Sequence, residues 1–224
     1  MREFRRGALA TIPLAPGIIA FGLLYGMMAR QVGLSPWQAA AMSMVVHAGS
    51  SQFMAVGMWL TSSVSEIIVA TLVINLRHLL MGASVAPFVS HLSASWKALL
   101  ALWMSDESYA VAIAEYRRGT GNRWFFLGAN AGIWLIWAPS GCLGALLGAA
   151  IPEPGRFGLD LIFPLAFIGL LACFVHDRIG LAVALGAGVV ALVVARWLPG
   201  SGYVIVAGVL GSGLGLLLEE VSKR

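Results

Sequence analysis

The chain has 224 residues, of which 59% are hydrophobic and 11% charged, and its mean hydropathy is +0.88. A water-soluble domain carries about 25% charged residues, so this composition excludes one: too few polar side chains exist to cover its surface. The formal charge of +4 is dispersed along the chain rather than clustered, which excludes a nucleic-acid-binding surface and leaves the lipid bilayer as the surrounding partner.

The predicted fold is an all-α integral membrane protein, a polytopic bundle of seven or eight transmembrane helices, some of them interrupted. Eight apolar segments are candidates: Ala10–Ala29, Pro36–Leu60, Ile67–Val89, Ala98–Tyr116, Trp124–Ala150, Leu159–Val175, Ile179–Trp197 and Tyr203–Leu218. Each approaches the roughly 20 residues a helix needs to cross about 30 Å of hydrocarbon. The last three are short and closely connected, which makes seven the alternative count. No connector is long enough for a soluble domain, so residues 1–224 read as one membrane domain.

Arg2, Arg5 and Arg6 resemble the start of a signal peptide. The apolar segment behind them is long and carries Pro13 and Pro16, and no small-x-small site follows, so no cleavage is expected. The prolines predict a bent or interrupted first span. With eight spans and the N-terminus inside, nine Lys and Arg residues fall on inner connections and four, Arg30, Lys97, Arg156 and Arg196, on outer ones. That bias places both termini in the cytoplasm.

The second span contains His47-Ala48-Gly49-Ser50-Ser51-Gln52-Phe53. Small and polar residues in mid-span serve close helix packing in many bundles. They also mark broken helices whose backbone groups and side chains meet a solute. The third span contains Asn75-Leu76-Arg77-His78. Asn75 and His78, three apart, share a face, and Arg77 points about 100° away from His78. A guanidinium cannot discharge itself by losing a proton, so Arg77 requires an anion, either a protein carboxylate or a solute, unless it snorkels to the interface.

Asp106-Glu107 in the fourth span is the candidate counter-charge. Adjacent carboxylates point in different directions, so one faces Arg77 and the other is available to bind and release a proton; a shorter span with the pair near the surface is the alternative. In the fifth span Gly128/Gly132 and Gly144/Gly148 have the four-residue spacing of close helix contacts, and Asn130 and the break expected at Trp137-Ala138-Pro139-Ser140-Gly141 are candidate pathway residues. A short echo between Ala15-Pro16-Gly17 and Ala138-Pro139-Ser140-Gly141 raises an internal repeat. The glycine-rich last segments read as scaffold, and Cys142 and Cys173 as small packing residues.

No HExxH, P-loop or dinucleotide motif is present, and no cofactor or metal is implied. Gly49-Ser50-Ser51-Gln52 fits the loose GxSx pattern of an intramembrane serine protease, which needs a histidine base beside the serine. A purely structural membrane subunit is the third class; the desolvation cost of Arg77, Asp106 and Glu107 argues against it.

The ordered blocks Pro16-Gly17, Phe21-Gly22-Leu23-Leu24-Tyr25-Gly26, Gly33-Leu34-Ser35, Ala48-Gly49-Ser50-Ser51-Gln52-Phe53, Asn75-Leu76-Arg77-His78 and Ser105-Asp106-Glu107 resemble the AzlC-type branched-chain amino acid permeases. The resemblance covers the first half of the chain. It implies a secondary exporter of leucine-like amino acids that works with a small AzlD-type membrane subunit. His47 stands where the family more often has an aromatic residue, and Ser105 where it often has threonine. On this reading substrate meets Gly49, Ser50, Ser51, Gln52, Phe53, Asn75 and Arg77, while His47, His78, Asp106 and Glu107 supply counter-charge or proton coupling.

Overall fold

Every described element is helical. The computed structural model describes residues 1–150, 168, 171, 175, 177–197 and 202–222, so the expected span Leu159–Val175 and Cys173 lie outside the described residues. In chain order the helices are α1 (Arg2–Leu9), α2 (Ala15–Gln31), α3 (Pro36–Val46), α4 (Gly49–Met58), α5 (Val64–Asn75), α6 (Arg77–Val89), α7 (Ala94–Leu102), α8 (Asp106–Arg117), α9 (Arg123–Ala149), α10 (Arg178–Val194) and α11 (Gly202–Ser222), with a 3-10 turn at Ile12–Leu14. Three stretches are long and apolar enough to cross a membrane: Arg2–Gln31, Val64–Val89 and Arg123–Ala149. The chain divides into two compact units, Met1–Phe53 with Ile74–Pro154, and Met54–Val73 with Gly155–Arg224.

In the first unit α9 is the central post. The first span is interrupted as its prolines predict: α1 ends at Leu9, and α2 restarts at Ala15 with Pro16 in its first turn, where a missing N–H costs nothing. Both helices run alongside α9 at backbone contact, and glycine makes this possible. A Cβ on Gly7 would stand 2.0 Å from the Phe125 carbonyl oxygen, one on Gly26 2.2 Å from that of Gly141, and one on Gly144 2.2 Å from that of Leu23. Any side chain there would force the helices apart.

Two expected spans are hairpins instead. α3 runs against α9: Tyr25 Oη donates to the Ala39 carbonyl (3.1 Å), and Trp134 Nε1 donates to the Met44 carbonyl (3.0 Å). The chain then reverses, and by Phe53 it again lies on Tyr25, ring centroids 6.3 Å apart. α7 follows α9 in the same direction, with Trp96 on Trp124 (5.0 Å), the Leu100 carbonyl accepting from Asn130 Nδ2 (3.0 Å) and Trp103 near Trp134 (6.4 Å). α8 then returns, bringing Tyr116 to Phe126 (6.3 Å). Segments Pro36–Leu60 and Ala98–Tyr116 therefore do not cross as single helices. Lys97, expected on the outer side, lies beside Trp96 at the end of α9 that also carries Arg6 and Arg123, because α7 enters from that end.

Two further corrections concern helix continuity. The third span bends at Leu76: the Leu79 N–H bonds the Leu76 carbonyl (3.0 Å), a tighter three-residue step that separates α5 from α6. The break expected at Trp137–Gly141 is absent. α9 continues through Pro139, with Ser140 Oγ donating back to the Ile136 carbonyl (2.6 Å) and Gly22 and Gly26 of α2 packed along this face. Tertiary contact holds the helix through the proline.

In the second unit α10 begins at Asp177, whose carboxylate accepts from the Gly180 N–H (2.6 Å). It packs on α11 through small residues: a Cβ on Gly211 would meet that of Ala187 at 2.9 Å.

Candidate functional site

The two hairpins enter from opposite ends of α9, and Trp134 touches both: its indole N–H holds Met44 of α3, and its ring neighbours Trp103 of α7. The tips, His47-Ala48 and Trp103-Met104-Ser105, thus lie at the level of Trp134.

The α3–α4 tip begins from a well-made helix. Ser35 and Gln38 form a capping box in which the Ser35 hydroxyl accepts from the Gln38 N–H and the Gln38 side chain accepts from the Ser35 N–H. α3 ends at His47, whose φ of 43° and ψ of 33° put a non-glycine residue in the left-handed region. That conformation costs roughly 1–2 kcal/mol. Its side chain is 4% exposed, and among the described residues neither ring nitrogen has a hydrogen-bond partner. The Trp103 backbone, Glu107 and His78 are the groups that act on it. Immediately afterwards α4 starts at Gly49, where a Cβ would stand 3.0 Å from the Trp137 ring. Gln52, fully buried, accepts from Trp137 Nε1 (2.9 Å), and its amide nitrogen has no partner among the described residues. Ser51 Oγ donates to Asn75 Oδ1 (2.5 Å), and His78 Nδ1 lies 3.2 Å from the Asn75 carbonyl.

The α7–α8 tip is closed on itself. Ser105 accepts from the Ser108 N–H (3.3 Å), the Ser105 N–H donates to Ser108 Oγ (2.9 Å), and Ser108 Oγ donates back to the Ser105 carbonyl (3.2 Å). Asp106 and Glu107 occupy the first turn of α8, where carboxylates complement the helix dipole. Arg77 Nη1 pairs with Asp106 Oδ2 at 2.7 Å, the two side chains 27% and 36% exposed. Among the described residues Glu107 makes no ion pair or hydrogen bond.

The structure thus gathers Ser51, Asn75 and His78, and beside them in the chain the Arg77–Asp106 pair, with His47 and Glu107 in electrostatic range of each other. Phe53 stands apart: it is 1% exposed and sits in an aromatic cluster with Phe21, Tyr25 and Trp137. Trp134, Ser43 and Ser108 were not singled out in the sequence. Ser108 was legible as the partner of a capping serine three residues earlier; Trp134 had no local signal. No histidine hydrogen-bonds Ser50 or Ser51 among the described residues, so the nucleophile–base pair of a serine protease is not assembled there.

Apolar helices, paired half-helix hairpins and a half-buried charged cluster define a helical, multi-pass membrane protein. The chain belongs to the AzlC family: the AzlC protein model matches residues 13–151, well over half of it. It is 28% identical over 148 residues to an uncharacterized membrane protein of Archaeoglobus fulgidus, covering 66% of this chain and 64% of that protein. It is 28% identical over 180 residues to the inner membrane protein YgaZ of Escherichia coli, covering 76% and 73%. It is 27% identical over 167 residues to the branched-chain amino acid transport protein AzlC of Bacillus subtilis, covering 74% and 65%. The chain thus spans slightly under two thirds of the Archaeoglobus and Bacillus relatives. No solved structure matches it significantly.

Proposed function

We propose that the chain is a secondary transporter that exports branched-chain or similar aliphatic amino acids across the bacterial cytoplasmic membrane, driven by the proton gradient, together with a small AzlD-type membrane subunit. The observation that carries this reading is the opposite chemistry of the two hairpin tips. α4 opens on Gly49-Ser50-Ser51-Gln52, with no acid in its first turn and an unpartnered, buried imidazole before it. A helix N-terminus of that composition suits a carboxylate. α8 opens on two acids, of which Arg77 neutralises one. Glu107 is left to receive an ammonium. A zwitterionic amino acid fits between such poles.

On this reading Arg77 is the fixed partner of Asp106, and Asn75 orients Ser51. Glu107 and His47, in electrostatic range of each other, exchange the coupling proton as substrate comes and goes. The lysine and arginine side chains gathered with Lys97 at the N-terminal end of α9 support a cytoplasmic placement of that end. The relative named for branched-chain amino acid transport supports the substrate class.

The test is uptake of labelled leucine, valine and isoleucine into inverted vesicles that hold the chain with its presumed small subunit. Accumulation driven by a pH gradient is expected. Vesicles that match empty controls, with and without the gradient, would sink the proposal.

A further inference from the structure

At the N-terminal end of α9, ten residues and about 15 Å along the helix from Trp134, lies a cavity of about 510 Å³. That is within the range of small-ligand pockets, roughly 300–1,000 Å³. Phe88, Leu92, Tyr116 and Trp124 give it apolar and aromatic walls, and His91 and Arg123 are its basic lining groups. No aspartate or glutamate lines it. A zwitterionic amino acid would find no counter-charge for its ammonium, so this cavity and the hairpin tips select different ligands.

Arg123 is pre-positioned without being neutralised. Its guanidinium lies 4.8 Å from the Trp96 ring centroid and 5.7 Å from that of Trp124. Among the described residues it makes no ion pair. The two nearby carboxylates are committed elsewhere. Glu115 bonds Arg6 (2.5 Å) and Thr120 (2.8 Å), and Glu3 binds Asn122 (3.0 Å) and Arg6 (3.3 Å). Asn122 Oδ1 already accepts from the Trp124 and Phe125 N–H groups, so those two donors are not offered to a ligand. Aromatic stacking fixes the plane of a guanidinium and leaves its N–H edge for a planar or tetrahedral oxyanion. Exposed Arg117 and Arg118 at the end of α8, with Lys97 on α7, raise the local positive potential.

We infer that this cavity binds a phosphate group carried on an apolar body, held by Arg123 and His91 against the Phe88–Tyr116–Trp124 wall. Phe88 and Tyr116 stack at 5.3 Å, and Trp96 and Trp124 have the amphipathic character of residues at the headgroup level of a bilayer. Anionic phospholipid headgroups seat in basic pockets of this kind. The same chemistry would accept a soluble phosphate.

Native mass spectrometry of the full chain in detergent separates these sources. With dioleoyl-phosphatidylglycerol the wild type should retain one lipid per chain, and with dioleoyl-phosphatidylcholine none. Arg123→Gln should lower retention about tenfold, since a charge-assisted bond is lost, and Arg123→Lys less. His91→Gln, at an exposed residue, tests the site without touching the stack. Millimolar inorganic phosphate that displaces the lipid assigns the site to the soluble ion as well; no displacement assigns it to the lipid. Equal retention of the two lipids, or a phosphatidylglycerol preference unchanged in both Arg123→Gln and His91→Gln, overturns the inference. No transport measurement enters, so the outcome stands apart from the proposed function.

Discussion

The two hairpin tips solve one problem in opposite ways. Each must end a helix, turn, and start another among apolar neighbours, leaving backbone and side-chain polar groups to be satisfied. At the α7–α8 tip Ser105 and Ser108 satisfy each other, and Arg77 balances Asp106. At the α3–α4 tip the turn rests on a left-handed His47, and among the described residues the His47 ring, Ser43 Oγ and Gln52 Nε2 lack partners. A buried polar atom without a partner costs about 1–3 kcal/mol, and such atoms call for an explanation. The asymmetry lies in the turns themselves: among the described residues the Ser105–Ser108 turn is satisfied by the protein and the His47 turn is not.

The largest expected effect is at Glu107. Glu107→Gln keeps the shape of a side chain that has no partner among the described residues, so stability should change by less than about 0.5 kcal/mol. Transport should fall about 100-fold or more, because the ammonium and the coupling proton both lose their site. Vesicle uptake alongside thermal melting in detergent checks this. Wild-type transport in the variant would erase the charge difference between the tips.

Next comes the Arg77–Asp106 pair. Removing one partner of a fully buried ion pair costs about 3–5 kcal/mol; with both side chains about one third exposed, about 1–3 kcal/mol is expected after solvent screening. Arg77→Gln and Asp106→Asn should each destabilise, and the double variant should recover most of the loss, giving a measurable coupling in a double-mutant cycle. A different outcome would move Arg77 to the substrate: Arg77→Gln melts like wild type yet transports nothing, and Asp106→Asn restores nothing.

Much of this cluster was legible in the sequence because charge logic is local. An arginine amid apolar residues demands an acid, and Asp106-Glu107 was the available one; Pro13 and Pro16 likewise announced the interrupted first span. The hairpins were not legible. Hydropathy scores a single crossing and two folded-back half-helices alike, since both are apolar and helical. What decides between them is long-range: Trp96 on Trp124, Asn130 on Leu100, Tyr25 touching both Ala39 and Phe53. Lys97 followed the misplaced crossing to the wrong side. Pro139 misled in the other direction, because its local tendency to break a helix yields to the packing of α2 along α9.

The smallest effects give the sharpest contrast, because they should differ in sign. Ser105→Ala removes the cap that accepts the Ser108 N–H, so it should destabilise by about 1 kcal/mol. Transport per folded molecule should survive, since that hydroxyl is spent on the protein itself. His47→Gly removes the Cβ that makes a left-handed residue unfavourable and also removes a buried imidazole without partners. Both changes favour the folded state, so melting temperature should rise, with a gain of about 1 kcal/mol. Substrate affinity should fall about tenfold on the proposed function, since the imidazole preceding the first turn of α4 is gone. His47→Ala separates the two contributions: it loses the imidazole and keeps the strain, so affinity should fall equally without the full gain in stability. A His47→Gly chain that is less stable than wild type and transports normally would make the imidazole a packing residue. The two tips would then differ only in how they are capped.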